Sequence, residues 1–116
     1  MKIAIAGLAL ITASALTPRT DLTPVSKTLQ SLKVGQEVYF TDHNRYASDL
    51  SQVKYTVADG VTLKFLESQA NAYSVVGTLA DAEGVSCVMK IGSVSKLPQT
   101  AKGKPAENEG AIVCDE

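Results

Sequence analysis

Tryptophan is absent, and all aromatic residues together make up 5% of the 116 residues. A core without large rings has to be built from Val, Leu, Ile and Ala, and in so short a chain it is thin. Histidine occurs once, at His43, and cysteine twice, at Cys87 and Cys114, which falls short of the four ligands of a structural zinc site. The eight glycines fall singly at turns, so no glycine-rich phosphate cradle is present. Basic residues are dispersed and the formal net charge is −1, which leaves a nucleic-acid surface without support. No G-x-S-x-G nucleophile elbow occurs, and the carboxylates lack the spacing of a paired-acid site or of a calcium loop. His43 beside Asp42 therefore reads as an exposed loop residue, not as a catalytic base. Neither enzymatic activity, nor a cofactor or metal, nor a small-molecule substrate is expected.

What is present begins with an uncharged stretch, Ile3 to Leu16, behind a single lysine. Two readings stay open. As a signal peptide it has a short basic start, an apolar middle and an A-x-A site at Ala13-Ser14-Ala15. As a retained anchor it is short: fourteen helical residues reach about 21 Å against a hydrocarbon core of about 30 Å. Its small residues, Gly7, Ala9 and Ala13 among them, suit close packing against another membrane helix. In the anchored form, leucine at Gly7 or Ala9 is expected to loosen attachment without unfolding the remainder. Either reading carries the rest of the chain out of the cytoplasm. Residues 1–17 are taken as the signal or anchor segment and 18–116 as one extracytoplasmic domain.

Thr23-Pro24 reads as an N-cap followed by proline at the first helical position, opening a helix from about Pro24 to about Thr41. Val25, Leu29, Leu32, then Val38 with Tyr39 form its expected apolar stripe. Gly35 lies inside, at a cost of up to ~1 kcal/mol relative to alanine. Thr41-Asp42-His43-Asn44 is turn chemistry, and Tyr46 and Leu50 read as anchors returning to the core. Val38, Tyr39 and Tyr46 are thus expected core residues, and Tyr39, Phe40, Tyr46 and Tyr55 read as core lining in preference to a recognition patch.

Period-two alternation then predicts strands over residues 53–57, 61–65, 73–78 and 85–91, with Asp59-Gly60 as a hairpin between the first two and Gly84 in a turn. The alternation implies an antiparallel sheet with one covered and one wet face. After Gly92 periodicity is lost until Ala111-Ile112-Val113-Cys114. Behind an export or anchor segment, Cys87 and Cys114 read as one disulfide pinning a C-terminal loop to the last strand, worth roughly 3.5 kcal/mol on loop entropy. In a reducing compartment they would be two ordinary thiols. The fold class is α+β: an N-terminal apolar helix, then one helix on an antiparallel sheet of three or four strands with a disulfide-pinned loop.

Gln36-Glu37-Val38-Tyr39-Phe40, followed by Asp42, Asn44, Tyr46, Ala47 and Leu50, resembles the A-Q-E-A-Y-F-x-D-N-x-x-Y-A-x-x-L stretch of bacterial type IV pilins and pilin-like proteins. There it marks the end of the long first helix and the loop into the sheet. The ending Glu109-Gly110-x-x-x-Cys114 is similar to that of some small pilins, and the likeness extends more loosely over residues 25–116. The resemblance implies a pilin-like head on the outer face of the bacterial inner membrane, in the periplasm. It does not reach the N-terminus, where the family's G-F-T-L-x-E processing site and long apolar helix have no counterpart. The expected function is accordingly a non-catalytic accessory subunit whose partners are other subunits of a membrane complex serving transport, electron transfer or photosynthesis. The alternatives are a divergent minor pilin or pseudopilin of a filament or secretion machine, and a soluble periplasmic binding protein.

Overall fold

A computed structural model of the chain describes residues 21–116. The segment expected as signal or anchor, with Gly7, Ala9 and Ala13, lies outside the described residues. One long helix, α1 (Thr23–His43), is followed by a single 3-10 turn at Leu50–Gln52 and by β1 (Val61–Gln69), β2 (Ala72–Leu79), β3 (Ala82–Ile91) and β4 (Val113–Cys114). The strands form one antiparallel sheet in the order β1-β2-β3-β4. The architecture is α+β, as the change of period near Thr41 implies.

Helix α1 begins one residue earlier than Thr23-Pro24 suggests. Leu22 is the N-cap and makes no side-chain cap bond. Asp21 Oδ1 instead accepts the Thr23 N–H at 3.0 Å. At the other end Asn44 takes the left-handed conformation, φ 59°, and returns its N–H to the Phe40 carbonyl at 2.7 Å. Asparagine tolerates that conformation, so the helix stops there.

Val25, Leu29 and Leu32 are fully buried, and Gln36 continues their stripe. They meet Leu63 on β1, Tyr73 and Val75 on β2, and Val85, Cys87, Met89 and Ile91 on β3. Gly77 leaves room for this packing, since an added Cβ there would stand 2.6 Å from Val25 and 2.8 Å from Leu63. Most of the scarce aromatics are spent at one end of this layer. Phe40, Tyr46, Tyr73 and Phe65 touch in sequence, with ring centroids 4.8, 5.0 and 5.8 Å apart and inclined or edge-on geometries.

The strand predicted over residues 53–57 does not form, and neither does its hairpin. This segment lies extended along α1, outside the sheet. The Thr56 N–H goes to Ser31 Oγ at 2.8 Å and the Ala58 N–H to Thr28 Oγ1 at 3.1 Å. The Thr28 hydroxyl donates its own proton to Pro24 O at 2.8 Å, so both of its functions are used. Two hydroxyls one turn apart on the helix thus replace a partner strand. Gly35 completes the track, since a Cβ there would lie 2.5 Å from Lys54 O and 2.6 Å from Val53. Asp59-Gly60 turns the chain into β1, with Gly60 at φ 80°.

The second face of the sheet is not wet throughout. Val88, Ser74 and Ser86 lie on the face opposite α1, yet each is at most 3% exposed. The C-terminal segment covers them, with Ala106 fully buried and Thr100 buried beside it. β4 pairs Cys114 directly with Cys87, and the two sulfurs are bonded at 2.04 Å. Lys33 reaches across from α1 to hold this segment, its Nζ donating to Gly110 O at 3.0 Å.

Candidate functional site

The loop after α1 is built on a side chain that acts as backbone. Gln36 is fully buried, and its amide makes two bonds to Ala47: Nε2 donates to Ala47 O at 3.2 Å, and Oε1 accepts the Ala47 N–H at 2.9 Å. One residue earlier, the Tyr46 N–H donates to Ala70 O at 2.8 Å, joining the loop to the β1–β2 turn. Tyr46 is consequently buried. Its hydroxyl donates to Glu37 Oε2 at 3.1 Å, and burial, then that bond and the Glu37 charge, push its phenol up to about 12.

Of the residues expected in the core, Tyr46 is buried, Tyr39 is half-buried against the core and Val38 is not in it. Val38 is 58% exposed. At 100° per residue Tyr39 stands within about 20° of Leu32 around the helix, whereas Val38 stands about 120° away. Grouping the two as one stripe merges residues that point in different directions. Val34, 63% exposed, lies one turn before Val38.

These two valines form one wall of a groove of about 990 Å³ between the outer side of α1 and the extended segment. Tyr39 and His43 close one end, their rings stacked at 3.9 Å and 14°. His43 Nδ1 donates to Tyr39 O at 3.1 Å, because a carbonyl oxygen only accepts. Lys54, Tyr55 and Thr56 line the groove from the extended segment, and the exposed Asp42 and Gln52 line it as well. Tyr55 is half-buried, and that burial raises its phenol. Val57, next in the chain after Thr56, is 49% exposed.

The groove's one imidazole is engaged by its own helix, and among the described residues no group of three or more His, Cys, Asp or Glu is placed to hold a metal ion. No helix of the described residues is long and apolar enough to cross a membrane. Tyr55, expected to line the core, is packed against it at one side and lines the groove at the other. Val34 and Val57 carry no catalytic or binding signature in the sequence, but helical geometry sets Val34 apart from the core stripe. The i, i+4 pair Val34 and Val38 lies well off the Val25-Leu29-Leu32-Gln36 stripe, which marks a second apolar face. Compared with known proteins, the chain matches no family model, no curated protein and no solved structure.

Proposed function

We propose that this chain is a non-catalytic accessory subunit whose head docks on other subunits of a membrane complex at its extracytoplasmic face. The observation that carries the reading is the pair Val34 and Val38, exposed at 63% and 58% on a helix whose opposite side already fills the core. Two branched apolar residues one turn apart form a ridge of the kind a neighbouring helix accepts between its own ridges. The occupant is therefore an apolar helix face of another subunit, seated between α1 and the segment that carries Lys54 and Tyr55. The disulfide supports the compartment, since such bonds persist on the oxidising side of a membrane. The order of helix, stitched loop, antiparallel meander and disulfide-closed end supports the likeness to pilin heads.

The test is the native size of the protein extracted in mild detergent. The wild-type chain is expected to migrate with a larger complex, and Val34→Lys with Val38→Lys is expected to release it with its thermal transition unchanged. A wild-type chain that runs as a free monomer, or a double variant that stays bound, contradicts the proposal. A free monomer that retains a small ligand would favour the soluble binding-protein reading. Homopolymeric assemblies would favour the pilin or pseudopilin reading.

A further inference from the structure

The C-terminal segment closes along the outer edge of β3. The Gly110 N–H donates to Lys90 O at 2.8 Å, Val113 and Cys114 pair with Val88 and Cys87, and the Asp115 N–H donates to Ser86 O at 3.0 Å. Beyond the ladder the Asp115 side chain continues the grip. Its Oδ2 accepts the Ser86 N–H at 3.0 Å and the Lys102 N–H at 3.3 Å, and its Oδ1 accepts the Thr100 hydroxyl at 2.5 Å. Thr100 Oγ1 in turn accepts the Lys104 N–H at 3.0 Å, and Ser86 Oγ accepts the Ala101 N–H at 2.8 Å. Asp115, Thr100 and Ser86 are 3%, 4% and 3% exposed.

One carboxylate therefore joins three pieces of chain: β3, the loop at residues 99–105, and the C-terminus that carries Cys114. Burial alone would raise its carboxyl, but the bonds from Thr100, Ser86 and Lys102, with the Lys102 charge, outweigh that and hold it below the usual range. Asp115 follows Cys114 in the chain, so fixing Asp115 on Ser86 sets Cys114 opposite Cys87. None of these bonds requires the sulfurs to be joined.

We propose that Asp115 is a noncovalent clasp that closes the C-terminal segment onto β3 in the reduced chain, so that oxidation of Cys87 and Cys114 locks a closure already made. Asp115 is a positioning residue for that oxidation. With glutathione disulfide as oxidant, the two thiols form one protein S–S bond, two electrons pass to the oxidant, and two molecules of glutathione thiol leave. A clasp that holds the thiols together raises their effective concentration toward each other over that toward glutathione. This inference concerns the closing of the fold and stands apart from the docking face.

The experiment has two arms on the full chain. In the first, amide exchange is followed in Cys87→Ser/Cys114→Ser, alone and with Asp115→Asn. The cysteine-free chain is expected to keep the Gly110 and Asp115 amides protected, and D115N to speed their exchange at least about tenfold while Val75 stays protected. In the second, both cysteines are kept and the chain is equilibrated with glutathione redox buffers. D115N is expected to weaken disulfide formation at least about tenfold, with Thr100→Val intermediate because it removes one donor and leaves the carboxylate in place. Loss of strap protection, or global unfolding, in the cysteine-free chain with Asp115 intact would overturn the proposal. So would a glutathione equilibrium that D115N leaves unmoved.

Discussion

Gln36 and Ala47 pair as two strands would, with the side-chain amide of one bonded to both the N–H and the carbonyl of the other at 2.9 and 3.2 Å. Both residues are buried, so neither partner has water to fall back on. The pair fixes the loop after α1, and with it the placement of Tyr46 beneath Tyr73. Gln36→Leu fits the volume of the site but leaves two buried backbone groups unpaired. The expected cost is about 2–4 kcal/mol, read as a lower urea midpoint at unchanged slope. A variant as stable as wild type would show that the loop is held by packing alone.

Gly35→Ala separates helix propensity from packing. In an exposed helix interior the change would stabilise by up to ~1 kcal/mol. Here the new methyl would stand 2.5 Å from the Lys54 carbonyl oxygen and 2.6 Å from Val53. Backbone cannot swing aside as a side-chain tip can, so a net loss of about 1–3 kcal/mol is expected in thermal or urea unfolding. A rise in stability would mean that the extended segment does not rest on α1 as described.

The tyrosines govern the alkaline limb. Tyr73 is fully buried, and its hydroxyl has no hydrogen-bond partner among the described residues. Burial, with the Tyr46 and Glu37 charges adding, raises its phenol, and that of Tyr46 goes to about 12. A raised phenol favours the protonated form in the fold. Its contribution is intact below the unfolded value of about 10 and is lost as pH rises through the folded value. Stability should therefore fall between about pH 10 and 12, and Tyr73→Phe should soften that fall while adding up to about 1 kcal/mol at neutral pH. Chemical denaturation across that range checks both. A destabilised Y73F would show that the hydroxyl is bonded after all.

Much of the core layer was legible because each pattern had one consistent geometry. Val85, Cys87, Met89 and Ile91 alternate, and all four are buried against α1. The alternation of Val53, Tyr55 and Val57 is equally clean, yet an extended chain looks the same whether its N–H groups meet another strand or the hydroxyls of Thr28 and Ser31. The one clue was on the helix, where Thr28, Ser31 and Gly35 make a small, polar track. Burial of Ser74, Ser86 and Val88 was hidden for a related reason, since residues 96–110 have no period of their own and gain order only by lying on the sheet. The exposed apolar face of α1 is hidden by grouping Val38 with Tyr39, a matter of about 120° around the helix axis.

Photo-crosslinking tests the docking face most directly. A benzophenone amino acid is placed at Val38, and in a second chain at Thr62, which is exposed on β1 away from the groove. Irradiation of intact cells, followed by purification and mass spectrometry, identifies whatever lies within reach of each position. The expected result is a defined adduct from position 38 to an apolar helix of one membrane-complex subunit, and no such adduct from position 62. No adduct at position 38, or the same products from both positions, would contradict the assignment of this helix face as the site of docking.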